Sequence, residues 1–377
     1  MDTVLYGLTS QQQEDRASFA AFVDDHLVPE ADRWDREQRL SDSIVELLGK
    51  SRLLVPTLPT EAGGSGMDVE TYGLLSEELG RGCGNIRNLV AVQGMVAHAL
   101  LKWGTKEQAD RWVPRIGTGE TVGAFALTEP EAGSDARNGS MTAERTGAGF
   151  VLNGRKKWMS FGQRAGIFLV FARLEGEPAA FVVERGTDGF RTEPISGLLG
   201  LRASELAELT FDGCVVPESH LISRGRLTFD LLATGSLDYG RYSTAYGSVG
   251  LAQACLTASL EYTRERTQFG VPLRDHQLVR RMLTDMISSV EGARLLCRQA
   301  GVLRARNHKD AIRQTLIAKY VASRAGFAAA NDAVQLHGAN GIGPDFPVQR
   351  HLRDAKVQEI IEGTSQIQQL QIAEMTL

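Results

Sequence analysis

Near its C-terminus the chain reads Arg353-Asp-Ala-Lys-Val-Gln-Glu-Ile-Ile-Glu362-Gly-Thr-Ser-Gln, so Glu362 follows the apolar pair Ile360-Ile361 and precedes a Gly-Thr-Ser-Gln turn. A carboxylate held against apolar neighbours loses hydration; its pKa rises, and it becomes a useful base near neutral pH. The same residues also suit an ordinary helix start, capped by Thr364 or Ser365. Far upstream runs Ala124-Phe-Ala-Leu-Thr128-Glu129-Pro130-Glu-Ala-Gly133-Ser134-Asp135, and Lys-Lys-Trp158-Met-Ser160 lies beyond it. A further group, Arg264-Glu-Arg266-Thr-Gln268-Phe269-Gly270, sets a cation and an amide donor two residues apart before a Gly-Val-Pro turn. Such a pair can meet a pyrophosphate, although Arg266 alone also reads as a solvated helix charge. The glycine clusters Gly80-Arg-Gly82-Cys-Gly84 and Gly338-Ala-Asn-Gly341-Ile-Gly343 do not follow a strand and open a helix within a βαβ unit, which argues against a Rossmann dinucleotide site.

The elements that must position these residues fall into three blocks. Residues 1–120 read as helical: Ser10 opens a segment with Phe19, Phe22 and Val23 at helical spacing, and Ser41 precedes Ile44, Leu47 and Leu48. Helices are expected over about 68–80, 87–103 and 105–115, after a Pro- and Gly-rich loop at 56–66. Residues 121–225 read as a β-domain, with a hairpin around Gly147-Ala-Gly149, buried strands at Ile167–Phe171 and Ala179–Val183, and an exit near Pro217. Residues 226–377 turn helical again, with long stretches near 226–264, 275–305 and 310–337. Gln93 and His98 interrupt the apolar stretch 89–101, most simply as satisfied core or surface residues.

The bulk numbers narrow the function classes. A chain of 377 residues can bury a large core, and 42% apolar with 23% charged residues is the balance of a soluble globular protein. The net charge of −5 carries no footprint for nucleic acid or an anionic membrane. No run approaches a membrane span. Cys83, Cys214, Cys255 and Cys297 are scattered without metal-ligand spacing, so no metal site is expected and a reduced cytoplasmic setting fits. The first six residues lack a basic stretch followed by an apolar run, and no secretory leader is expected.

Taken together, the 124–135 and 353–368 segments resemble the acyl-CoA dehydrogenase family of flavoenzymes, and the similarity runs through most of the chain. The resemblance implies an N-terminal α-helical domain, a middle β-barrel-like domain and a C-terminal four-helix bundle. It also implies FAD bound between the β-domain and the C-terminal helices. Phe125, Leu127, Thr128, Trp158 and Ser160 match positions at the flavin ring, and Gly133 and Ser134 positions at the flavin and pyrophosphate, with Ser134 also touching substrate. Thr364 and Gln366 match further cofactor contacts. Arg266, Gln268 and Phe269 match residues reaching the FAD of a neighbouring subunit, and Gln335, Gly338 and Gly341 a stretch at the adenosine half. The resemblance therefore implies a homo-oligomer, dimer or tetramer. Asp238, Arg241 and Gly363 match substrate-side positions. An arginine near Glu362 would oppose the desolvation of that carboxylate. Gly240 stands where some relatives carry their catalytic glutamate, which leaves Glu362 as the matched base.

The implied chemistry is oxidation of an acyl thioester. Glu362 removes the α-proton, its backbone N–H and a flavin ribityl hydroxyl hold the carbonyl oxygen, and FAD takes the hydride. Reoxidation needs an electron-transfer flavoprotein or oxygen. Within the family, Ser236-Leu-Asp-Tyr-Gly-Arg241, Val92-Gln-Gly-Met95 and Glu359-Ile-Ile-Glu362 look most like a branch that oxidises short acyl groups on acyl carrier protein during polyketide extender-unit assembly. Ile361, where many fatty-acid-oxidising members carry tyrosine, points the same way. The alternatives are catabolic acyl-CoA α,β-dehydrogenation, a flavin monooxygenase, or a non-catalytic scaffold of this fold.

Overall fold

The computed structural model describes residues 7–377; the N-terminal stretch read for a leader lies outside them. Six helices come first: α1 (Ser10–His26), α2 (Val28–Glu37), α3 (Asp42–Lys50), α4 (Val69–Gly82), α5 (Gly84–Trp103) and α6 (Lys106–Gly117). Thr9, one residue before the expected opener, caps α1 in a reciprocal box with Gln12. Helix α5 is buried along nearly its whole length, so its polar residues must find partners inside the protein. Gln93 does so by exchanging two hydrogen bonds with the main chain of Gly123, at 3.1 and 2.7 Å. His98 bonds the Thr57 hydroxyl at 2.7 Å.

The middle domain is a sheet of β1 (Gly123–Ala126), β2 (Thr142–Thr146), β3 (Gly149–Met159), β4 (Ile167–Leu174), β5 (Glu177–Glu184), β6 (Phe190–Pro194), β7 (Ala207–Val216) and β8 (Leu221–Arg224). The order is β6-β7-β3-β2-β4-β5-β8, with β1 added in parallel to β4. The sheet curls on itself: Phe168 of β4 meets Phe190 of β6 at 4.8 Å between ring centroids, and Phe150 of β3 meets Phe181 of β5 at 5.2 Å. Pro217 lies close to the end of the domain, with one short strand still to come. A short turn there returns the chain as β8, whose four residues are too few for their alternation to register in sequence.

A π-helical turn at Thr228–Ala233 then leads into α7 (Thr234–Glu265), whose second turn carries Asp238 and Arg241. Next come the hairpin β9 (Thr267–Gln268) and β10 (Val271–Pro272), then α8 (Gln277–Ala305), α9 (Ala311–His337), α10 (Val348–Gln358) and α11 (Ser365–Glu374). Helices α7, α8 and α9 pack side by side; α10 lies across α7 and α9, and α11 lies on α9. Helix α10 is pinned to α2 by ion pairs of Arg350 with Asp32 (2.7 Å) and Arg353 with Asp35 (2.5 Å). It is pinned to the loop after β6 by Asp354 accepting the Leu201 N–H at 2.6 Å. All three blocks are thereby tied to the segment that ends in Glu362. Among the described residues no helix is long and apolar enough to cross a membrane, and no His, Cys, Asp and Glu cluster is placed to hold a metal ion.

Candidate active site

Glu362 sits in the reversal between α10 and α11. The Ser365 N–H donates to the Glu359 carbonyl at 2.9 Å, and the Thr364 hydroxyl caps α11 by accepting the Ile367 N–H at 3.3 Å. The cap reading of this segment is thus realised at Thr364. The reversal needs Glu362 at φ 58° and Gly363 at φ 85°, and the left-handed region costs a non-glycine residue about 1–2 kcal/mol. Donors converge to hold it. Arg241 Nε reaches the Glu362 carbonyl at 2.9 Å, Lys319 Nζ reaches the Gly363 carbonyl at 2.7 Å, and Gln368 Nε2 bonds both carbonyls at 3.1 and 3.3 Å. This conformation lays the carboxylate on the α7 backbone at Gly240. A Cβ there would stand only 2.6–2.7 Å from the Glu362 carboxyl atoms.

The electrostatics follow from that placement. Glu362 as a residue keeps some accessible surface, but its Oε2 is buried and accepts no hydrogen bond from the protein. Burial pushes the carboxyl up to about 7, against the opposing pull of Arg241, Arg87 and Lys319. Desolvation therefore wins the contest between burial and the nearby arginine. The cations respond in the opposite sense: burial lowers Lys319 to about 7 and Arg87 to about 10, while Glu362 partly supports both. Arg87 donates to the Thr244 hydroxyl and the Gln358 amide oxygen, each at 3.1 Å.

On the β-domain side, Phe125 is half-buried and meets Phe171 edge-on at 5.1 Å. Leu127 and Thr128 are registered against the neighbouring strand: Lys156 Nζ donates to the Leu127 carbonyl at 2.9 Å, and the Lys157 N–H to that of Thr128 at 3.0 Å. Lys156 also pairs with buried Glu129 at 2.8 Å, and Glu129 accepts the N–H groups of Ser140 and Met141. Gly133 and Ser134 lie exposed in the loop beyond. Trp158, at φ 66°, is turned outward and 52% exposed. Ser160 accepts a hydrogen bond from Asn88 of α5 at 3.2 Å, and the preceding residue, Arg87, faces Glu362. The first turn of α5 thus joins the Trp158–Ser160 strand end to the carboxylate. An open indole face beside small hydroxyl side chains suits a flat ring with polar edges.

Asp238 lies one helical turn from Arg241, supports its charge and is paired with Arg304 at 2.6 Å. Other expected residues lie elsewhere. Arg266, Gln268 and Phe269 project from the far end of α7, separated from Arg241 by about 37 Å of helix. Phe269 is 95% exposed, at φ 52°. Gln335 and Gly338, both exposed, and buried Gly341 belong to this second cluster. Tyr262 links the two chain segments, stacking on His337 at 4.2 Å and accepting from Asn340 at 2.9 Å. Gln366 is exposed on α11. One molecule therefore carries two groups of matched residues at opposite ends of the bundle, not one continuous site.

Sequence reading missed Arg87, Lys319 and Gln368. The available signal was a lone cation inside an apolar run, Ile86-Arg-Asn-Leu and Ala318-Lys-Tyr-Val, where burial demands a partner.

Family models for the N-terminal, middle and C-terminal domains of acyl-CoA dehydrogenase match residues 9–120, 124–214 and 231–377. The chain is 36% identical to the mitochondrial short-chain specific acyl-CoA dehydrogenase of Homo sapiens over 93% of its own length and 86% of that protein's. Among solved structures, a Mycobacterium smegmatis glutaryl-CoA dehydrogenase in complex with FADH2 superimposes with a TM-score of 0.94 at 28% identity, covering 99% of this chain and 96% of that one. FkbI, described as serving biosynthesis of the methoxymalonyl extender unit of the polyketide Fk520, superimposes with a TM-score of 0.87 at 31% identity, covering 94% and 98%.

Proposed function

The chain belongs to the acyl-CoA dehydrogenase family of FAD-dependent oxidoreductases, and from that premise we propose that it oxidises a short acyl thioester with Glu362 as the base. The observation that carries this reading is the carboxylate of Glu362 lying buried on Gly240, with one oxygen free of protein donors and its ordinary ionisation raised to about 7. A base so poised removes an α-proton near neutral pH. FAD, when bound, supplies the two-electron oxidation by accepting the hydride. Trp158, Ser160, Phe125, Leu127 and Thr128 would hold its ring, and Gly133 and Ser134 would contact it from the adjoining loop. The Glu362 N–H orients the thioester carbonyl, and Arg241 fixes the turn that presents it.

A short acyl group is supported by Tyr239. Its ring stacks on Tyr72 at 4.9 Å and lies against Gly94, where a Cβ would be only 2.4 Å from it, so the space between α4, α5 and α7 beyond Gly240 is already filled. Carrier-protein tethering in secondary metabolism is the finer reading, supported by the likeness to FkbI. The short-chain CoA-type relatives support a CoA thioester instead. Electron-transfer flavoprotein or oxygen is the proposed acceptor. The four cysteines, all free and buried, suit a reduced cytoplasmic compartment.

Anaerobic bleaching of the flavin by the same short acyl groups on CoA and on carrier protein tests both levels. Bleaching by carrier-bound substrate alone assigns a biosynthetic role; bleaching by acyl-CoA assigns a catabolic one. Glu362→Gln should keep FAD and lose bleaching, and undiminished bleaching by that variant removes Glu362 from the chemistry.

A further inference from the structure

Lys319 occupies the middle of α9 with no exposed surface, and its ammonium group is spent on the backbone carbonyl of Gly363, the residue after Glu362. Burying an ammonium is costly unless it is paired and hydrogen-bonded. A carbonyl alone could be served by a neutral amide, as Gln368 already serves both carbonyls of this turn. The position of the charge explains why a lysine is used.

We infer that Lys319 is a positioning residue of the reaction: it anchors the Glu362–Gly363 turn from below and sets a buried cation on the carbonyl next to the base. The inference rests on Glu362 being the base. The charged groups around this carboxylate come from three helices: Arg87 of α5, Arg241 of α7 and Lys319 of α9. Lys319 in turn faces Glu362 and Glu359, with Arg241 and Arg87 opposing it. Glu359 is engaged by Lys356 at 2.8 Å, and Asp238, which supports the charge of Arg241, is engaged by Arg304. Of the three cations only lysine can give up its proton near neutrality, since arginine stays charged. Lys319 and Glu362 therefore titrate as a coupled pair, with each charged form favouring the other. The sign is fixed: loss of the Lys319 cation raises the pH at which Glu362 ionises, and the acid limb of the reaction moves to higher pH.

The test separates charge from anchoring. Lys319→Gln keeps a donor for the Gly363 carbonyl and removes the charge; Lys319→Met removes both. In FAD-loaded protein labelled with 13C at the glutamate carboxyl, the signal lost in Glu362→Gln identifies Glu362, and its midpoint is followed against pH. The expected result is a midpoint raised by about one unit or more in both variants. Thioester-driven flavin reduction at pH 7 then falls about fivefold and recovers above pH 9 in Lys319→Gln, whereas Lys319→Met also loses plateau rate. An unchanged midpoint in both variants overturns the charge role, and an unchanged plateau in Lys319→Met overturns the anchoring role. The carboxyl titration needs no turnover. If no thioester bleaches the wild type but the midpoint still moves, the dehydrogenase reading fails while the coupling stands.

Discussion

At the scale of single residues, the site depends on an absence of side chain as much as on a carboxylate. Gly240 lets the carboxyl of Glu362 rest on the backbone of α7, and any Cβ at that position would overlap it. In Gly240→Ala the carboxylate must withdraw by about an ångström, a displacement of the kind that costs about a hundredfold in rate. The variant is expected to fold and retain FAD, because nothing on the β-domain side changes, and to lose thioester-driven flavin reduction by about that factor. Gly235→Ala is the matched control: it lies in the same helix, exposed, with nothing within 4 Å of the added methyl, and should reduce its flavin at the wild-type rate. Stopped-flow bleaching of the two variants decides the matter. Equal rates would show that the carboxylate works from some other pose. Three residues matched to the site, Trp158, Phe269 and Glu362, also have positive φ without being glycine. Such conformations persist only where surrounding contacts impose them.

At the scale of elements, the strand next to the residues proposed to hold the flavin is braced by a buried ion pair. Lys156 ties the Leu127 carbonyl to Glu129, and Glu129 ties that corner to Ser140 and Met141. Removing one partner strands a charge in the core and costs about 3–5 kcal/mol, whereas removing both costs less. Lys156→Met and Glu129→Gln should each lower the urea midpoint of the holoenzyme and loosen FAD, and the double variant should be more stable than the sum of the singles predicts. Strictly additive losses in a double-mutant cycle would argue that the two groups act independently. Nothing in the local pattern announced this pair beyond two charged letters 27 residues apart. The helices were legible because apolar spacing and caps are local signals, and so were the buried strands. Strand β8 and the π-helical turn before α7 were not, since one is too short for a period and the other reads as helix. Glu362 was legible through its motif. Its cations Arg87 and Lys319 were not, because they reach it from helices 275 and 43 residues away in sequence, and only the tertiary packing brings them together.

At the scale of the whole molecule, the two clusters of matched residues pose a geometric problem that a second copy would solve. Arg266, Gln268 and Phe269 stand exposed at the far end of a helix about 37 Å from Arg241, beside Gln335 and Gly338. Within one molecule the Phe269 ring is 95% exposed and meets the His276 edge at 6.1 Å, so this turn buries little surface of its own. It buries more if that end meets the flavin edge of a two-fold partner, since in a two-fold pair each subunit offers the other the same surface. Arg266→Ala combined with Gln268→Ala in one subunit should therefore weaken FAD binding in its partner's site. Co-expressing this variant with Glu362→Gln, under two different tags, and isolating the mixed dimer tests that directly. If the contacts cross between subunits, one of the two sites regains both an intact base and an intact pyrophosphate contact. Flavin bleaching by thioester then returns to about half of the wild-type amplitude, although each parent alone is impaired. If the contacts stay within one subunit, both sites of the mixed dimer remain defective and no bleaching is recovered. A positive result would make the oligomer the catalytic unit, with each active site assembled from the near end of one bundle and the far end of another.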